Sequence, residues 1–476
     1  MNLLKQLKNY LFSFIIPSVI LFVSTIIYSR VFQPSEYGEY ILVISVIGLI
    51  ASIISHGFQQ SIVRFYSGAK SEEKKKIVNS TFYYFIIILV ISLTSLMVLS
   101  FFVDKANPYY YYLLPTFFYL LLTISLGFIQ NIYQASAETG KYFFLSTFPL
   151  IIGFGFTIFL LLLEINNPII ILISNTVGYA LTLVISITKI KKDNIIVISF
   201  ATFDKNYFIQ ILKYSVPLGL FTVSTFLINI IDRFFLNYLV GADATGIYSS
   251  NYSFFNGTLK VLLPIIFVFT PYLYSSWNKK LYNIANNLLV NIIKIYFVCS
   301  LIFIILISIF IKYIYILLIG KEFLLPFSEL ILLAVGLIFS QVTLLTIKPL
   351  EFNKQVKLIS LITLSILFLN ILLNFIFIPF LGIYGSILAT LFSYVCLYCI
   401  QVSILIKNIK DINLVLTPLM LIILSVCIIF VEKFSEDYFI ILCLCILFSF
   451  LLFISPIKVL LKKTNRLMVI SNENNN

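Results

Sequence analysis

The chain has 476 residues, 61% hydrophobic and only 11% charged, with a mean hydropathy of +1.07 and a formal net charge of +13. A soluble protein of this size needs a polar surface that such a composition does not supply. A nucleic-acid binder would gather its cations on one basic domain, whereas here they are scattered through short loops.

Apolar runs of about 20 residues or more recur from end to end, each long enough to cross a hydrocarbon core about 30 Å thick. The strands of a membrane β-barrel would instead alternate polar and apolar residues over about 10 positions. An all-α polytopic membrane protein is what remains. Taken in chain order and broken at charges, Gly, Pro and Asn clusters, the sequence predicts about 14 transmembrane helices. They fall at 10–31, 40–64, 77–103, 109–135, 143–163, 168–190, 208–231, 246–275, 292–318, 323–346, 357–379, 382–406, 413–431 and 438–461. The first begins like a signal peptide, but its apolar stretch is too long and lacks a small-residue cleavage site, so it reads as an uncleaved span.

These spans group as a bundle of six helices over 1–192, a cytoplasmic linker over 193–207, and a second six-helix bundle over 208–407. Two additional transmembrane helices follow over 408–463, then a tail, 464–476, whose Asn-rich end predicts disorder. Lys and Arg number 32, and their loops alternate. Only Arg30, Lys105, Arg233, Lys312, Lys321 and Lys433 fall on one set of loops, Lys260 falls in mid-span, and the rest share the other set. The positive-inside rule places that richer side, with both termini, in the cytoplasm.

Several polar residues stand out along the spans. Arg30 ends span one. In span two, His56, Gln60 and Arg64 recur every four residues on one helical face. His56, the only histidine, reads either as a group titrating near neutral pH or as a hydrogen-bonded packing residue. Arg64 is equally an interfacial anchor. Gln130, Gln134 and Glu138 form another stripe, with Glu138 and Glu351 expected to hold Lys141, Lys354 or neighbouring helix ends. Asp232 and Arg233 close span seven, where phosphate binding and interface anchoring compete. In span eight, Tyr252, Asn256 and Lys260 share a face, and Lys260 lies roughly 20 Å along the helix. A lysine at that depth reaches neither interface easily, which favours a cavity-facing role over snorkelling. Pro17, Pro217, Pro264 and Pro271 interrupt spans one, seven and eight.

Enzyme chemistry finds little support. No phosphate-binding GxxxxGK[ST] loop or HExxH is present, and one histidine cannot build a multi-histidine metal site. The six cysteines, Cys299, Cys396, Cys399, Cys427, Cys443 and Cys445, all lie in apolar runs and read as small buried hydrophobes. No cofactor is expected.

Two short polar stretches, PSEYGEY at 34–40 and ADATGIY at 242–248, each end in Gly-x-Tyr and read as loops after spans one and seven. With Glu138-Thr-Gly-Lys141 lying over Glu351-Phe-Asn-Lys354, they indicate parallel six-helix repeats enclosing a cavity. Together with RVFQPSEYGEY at 30–40, GFQQSIVRFY at 57–66, IDRFFLNYLVGADATGIYS at 231–249, KPLEFNKQVK at 348–357 and NILLNFIFIPFLGIYGSILAT at 370–390, the sequence resembles the polysaccharide transporters of Wzx type, the O-antigen flippases. These belong to the multidrug/oligosaccharidyl-lipid/polysaccharide exporter superfamily. The resemblance implies two pseudo-symmetric six-helix bundles around a central cavity, working by alternating access in the bacterial inner membrane. The cargo it implies is an undecaprenyl-pyrophosphate-linked oligosaccharide for lipopolysaccharide, capsule or exopolysaccharide, handled beside glycosyltransferases and a polymerase among membrane lipids. Coupling to H+ or Na+ is open. The alternatives are a drug or metabolite antiporter of the same superfamily and, further off, a membrane-embedded polysaccharide polymerase, whose long catalytic loop is not seen.

Overall fold

In lipid every backbone N–H and C=O needs a partner within its own segment, so unbroken apolar runs fold as helices. The computed structural model describes residues 3–66, 71–102, 108–136, 138–193, 204–310, 315–406 and 413–434, and among these no strand occurs. The helices are α1 (Leu3–Val31), α2 (Pro34–Tyr66), α3 (Ser71–Phe102), α4 (Leu113–Ala135), α5 (Thr139–Leu162) and α6 (Ile169–Asp193). There follow α7 (Lys205–Ile228), α8 (Ile231–Leu239), α9 (Ala242–Leu259), α10 (Leu263–Asn278), α11 (Tyr282–Phe310) and the single turn α12 (Ile316–Leu318). The last are α13 (Phe327–Thr346), α14 (Lys348–Phe352), α15 (Val356–Leu381), α16 (Ile383–Ile406) and α17 (Asn413–Phe434).

Among the described residues eight helices are long and apolar enough to span a membrane, or nine if α7 and α8 form one span bent by 42°. Ile15–Val31 and Leu414–Phe430 are apolar but shorter. The expected fourteenth span at 438–461, Cys443, Cys445 and the tail lie outside the described residues, as does most of the expected linker at 193–207.

Two expectations need correction. PSEYGEY and ADATGIY are not loops but the opening turns of α2 and α9. Their glycines serve close approach rather than chain reversal: a Cβ on Gly38 would fall on the carbonyl oxygen of Ala242 and 3.0 Å from the Gly246 nitrogen. A Cβ on Gly246 would fall on the carbonyl oxygen of Pro34 and 3.1 Å from the Gly38 nitrogen. The contact is reciprocal, since Pro34 and Ala242 each stand four residues before the glycine of their own helix. Small residues at such crossings let helix backbones meet where lipid provides no hydrophobic drive. Secondly, the bend of span seven lies at Asn229–Ile230, not at Pro217.

The chain divides into two compact units, Met1–Ser250 with Thr363–Leu367, and Asn251–Ile362 with residues from Phe368 on. In the first, α2 packs on α3, α4 and α7, α4 on α5 and α6, and α1 on α5. Tyr66, Val78, Phe128, Ile132 and Ile211 form one buried cluster of this unit. Asp204 fixes the start of α7: its carboxylate caps the N–H groups of Asn206 (2.9 Å) and Tyr207 (3.4 Å). Its backbone exchanges bonds of 3.2 and 3.3 Å with the Ser80 hydroxyl. In the second unit α13 is the interior helix, packed against α11, α16 and α17. Of its membrane-length window 83% is buried, against 28% for α5. Leu361, Phe368, Leu372 and Phe375 on α15 are each more than half exposed, an apolar stripe suited to acyl chains.

Hydroxyls inside the helices are mostly spent on their own backbone, as Thr157 on Gly153 (2.9 Å), Thr182 on Gly178 (2.7 Å) and Ser308 on Ile304 (2.7 Å). Bonds between helices join Tyr296 to Gln341 (3.0 Å), Asn370 to Ser393 (3.0 Å), and Thr346 to Gln401. Buried polar groups in a membrane protein are tolerated when paired in this way.

Candidate functional site

In the first unit the chain turns sharply between α7 and α8, and the polar residues gather there. Asp232 sits in the first turn of α8, where the helix dipole favours a negative charge, and is fully buried. One carboxylate oxygen accepts the N–H of Arg233 at 2.8 Å, and the other accepts the hydroxyl of Tyr248 on α9. Arg233 Nη1 donates to the Ser45 hydroxyl of α2 at 3.4 Å, and Thr245 Oγ1 donates to the Arg233 carbonyl at 3.5 Å. The Asp232 carboxylate is thus bonded both within α8 and to α9, and the Arg233 guanidinium to α2. Sequence reasoning missed Ser45, Thr245 and Tyr248, although the tyrosine of the repeated Gly-x-Tyr step was a usable signal for the last. Arg30 lies in the last turn of α1 with its side chain exposed. His56, Gln60 and Arg64 fall on α2, but their side chains lie outside the described set.

In the second unit, Tyr252 is buried, and Asn256 and Lys260 are half-buried, on the length that was expected to be one continuous span. That span is interrupted: α9 stops at Leu259, Lys260–Leu262 is a 3-10 turn, and α10 starts at Leu263. The cause is Pro264, which has no N–H to give the Lys260 carbonyl and whose ring crowds that oxygen. The carbonyl instead accepts from Leu263 one residue earlier. Lys260 is thus both the charged residue of the span and the residue at its break. Irregular backbone at membrane depth is found where it is buried in protein or lines a water-filled space.

Asn251, at the start of this unit, donates to the Phe323 carbonyl at 2.8 Å and accepts from the Tyr315 hydroxyl, whose oxygen also takes the Leu325 N–H at 3.3 Å. These bonds tie the segment before α13 to α9. The two acids of the repeat behave partly as expected. Glu138 binds Lys141 at 2.7 Å, whereas Glu351 binds Lys348 at 2.6 Å rather than Lys354. The reason is local: Lys348 and Glu351 lie one turn apart on α14, and Tyr274 adds a hydroxyl bond of 3.0 Å to the same carboxylate oxygen. Among the described residues no group of three or more His, Cys, Asp or Glu is arranged to hold a metal ion.

Solved structures share this helical arrangement. The fold matches the lipid II flippase MurJ in its inward closed conformation, with a TM-score of 0.69 at 17% identity, over 97% of this chain and 99% of that one. It also matches a MATE protein in complex with MaL6, with a TM-score of 0.58 at 14% identity, over 83% and 95% of the two chains. An inward-facing multidrug resistance MATE transporter of the MOP superfamily gives a TM-score of 0.56 at 14% identity, over 85% and 100%. No curated protein sequence matches the chain. The fold is therefore that of the MOP-type transporters. The sequence profile of the polysaccharide biosynthesis protein family matches residues 4–277, and the chain belongs to that family.

Proposed function

We propose that the protein is a flippase that moves a lipid-linked oligosaccharide, its pyrophosphate included, from the inner to the outer leaflet of the bacterial cytoplasmic membrane by alternating access. The observation that carries this reading is Lys260, a cation held at the backbone break between α9 and α10 of a polysaccharide biosynthesis protein. A pyrophosphate crossing hydrocarbon bare would pay the solvation cost of at least two charges, and a fixed ammonium offsets part of it. Asn256 and Tyr252, on the same helix, supply hydrogen-bonding groups for sugar hydroxyls. In the first unit Arg233, Asp232, Arg30, Arg64, Gln60 and His56 are proposed as further cargo contacts, the arginines as phosphate partners. The cargo is an O-antigen, capsule or exopolysaccharide repeat unit, both termini face the cytoplasm, and the protein carries out no bond chemistry. Transport under imposed H+ and Na+ gradients tests whether either ion is coupled to the cycle.

The drug-antiporter reading is second, because the MATE structures match less of the chain than MurJ does. Deletion of the gene should leave lipid-linked units facing the cytoplasm and abolish surface polysaccharide. Full-length surface chains in a deletion strain without a homologue would refute the reading. Lys260→Ala should lower export about tenfold, equivalent to about 1.4 kcal/mol, at unchanged protein amount, measured as surface glycan per copy.

A further inference from the structure

One aromatic cluster of the second unit is not used by the proposed path. The chain's only tryptophan, Trp277, lies near the end of α10, and its ring stacks on Phe352 of α14 with centroids 4.9 Å apart and planes at 30°. Tyr274 meets Phe352 edge-on at 4.9 Å, and Tyr282 meets Trp277 at 4.8 Å. Tyr274 and Tyr282 remain 38% and 46% exposed, so the ring cluster is open on one side. Lys348 Nζ lies 5.9 Å from the Tyr274 ring centroid while paired with Glu351.

Each of the two turns that bring these rings together is closed by a lysine in the left-handed region. Lys280 has φ 59 and Lys354 has φ 57. Lys280 N–H binds the Trp277 carbonyl (2.9 Å) and Leu281 N–H that of Ser276 (2.9 Å). Lys354 N–H binds the Glu351 carbonyl (3.0 Å) and Gln355 N–H that of Leu350 (2.9 Å). Glycine is the usual residue at this position of a helix end, because a Cβ is strained there. The geometry does not call for lysine in particular, since Glu164 adopts the same conformation, φ 61, after α5. Two exposed lysines thus stand, against backbone preference, in the turns that follow Trp277 and Phe352.

We propose that Trp277, Tyr274 and Tyr282 with Lys280 and Lys354 form a docking site for the headgroup of a glycosyl pyrophosphate lipid before translocation, an assignment that rests on the flippase reading. The weakly positive C–H face of a sugar ring lies against the negative face of an aromatic ring, and the two lysines take the pyrophosphate oxygens as charge-assisted donors. The cluster lies at the helix ends that carry the richer set of basic loops, where a substrate made in the cytoplasm arrives.

The test uses the full chain. In Lys280→Gly/Lys354→Gly, glycine accepts a positive φ without strain, so both turns persist. This variant should reach wild-type amounts in the host while surface glycan falls about tenfold. Trp277→Ala should lose export similarly, and Trp277→Phe, which keeps a ring on Phe352, should retain it. In phosphatidylcholine nanodiscs, Trp277 emission should shift saturably with an organic-solvent extract of the host's lipid-linked glycans. The same extract after mild acid, which releases the glycan, should give no shift. Wild-type export from the double glycine variant overturns the proposal. An equal shift from acid-treated extract or from phosphatidylglycerol also overturns it, marking the cluster as an interfacial anchor. If deletion itself leaves surface glycan intact, the flippase reading has failed instead.

Discussion

The helix that starts at Pro34 and the one that starts at Ala242 carry the same Gly-x-Tyr step, yet the first runs unbroken for 33 residues and the second gives way to a 3-10 turn after 18. Their beginnings are alike because Gly38 and Gly246 rest on each other, and both following tyrosines, Tyr40 and Tyr248, are buried. Their courses part where one side chain differs. The place that Pro264 holds relative to Gly246 is held by His56 relative to Gly38, and α2 has no proline there to break it. The place of Lys260 is held by Ser52, a buried hydroxyl that donates to the Leu49 carbonyl at 2.9 Å. The two helix starts share one contact, while only the second helix carries a charge and a break together.

The comparison can be broken first at its shared end. Gly38→Val and Gly246→Val each drive a side chain into the opposite backbone, where little can yield, and should cost about 3 kcal/mol apiece, at the upper end for overpacking. Thermal unfolding in detergent measures this, and a tolerant Gly246→Val would end the equivalence of the two sites. At the divergent end, Pro264→Ala restores a donor for the Lys260 carbonyl and extends the helix. Folded protein should persist and surface glycan should drop several-fold, about 1 kcal/mol on the rate scale. Unchanged export would reduce the break to local packing.

The smallest effect sharpens a second pair of repeat-related points. Glu351→Gln loses charge from bonds to both Lys348 and Tyr274 and should cost about 1 kcal/mol, whereas Glu138→Gln, which loses one half-buried lysine pair, should cost below about 0.5 kcal/mol. Equal unfolding temperatures for the two variants would show that Tyr274 adds nothing.

Much of this was legible in the sequence. Apolar run lengths gave the class, and the paired Gly-x-Tyr steps marked the two helix starts that meet. Local acid–lysine pairing was visible at Glu138 and Lys141. What escaped depended on partners far along the chain. A glycine in a polar stretch reads as a loop until the carbonyl it must approach, about 200 residues away, is known. The bend at Asn229 has no proline to announce it. Asp232 was expected to close span seven but opens α8, and its burial against Tyr248 is a property of two helices together. Trp277 was passed over because a lone aromatic residue in an apolar chain carries no periodic signal.

The meeting of Gly38 with Gly246 has a mutational consequence. Each glycine forms part of the other's steric environment, so a larger residue at either is blocked by the main chain opposite. No second side-chain substitution can relieve that clash, because the atoms in the way belong to the backbone itself.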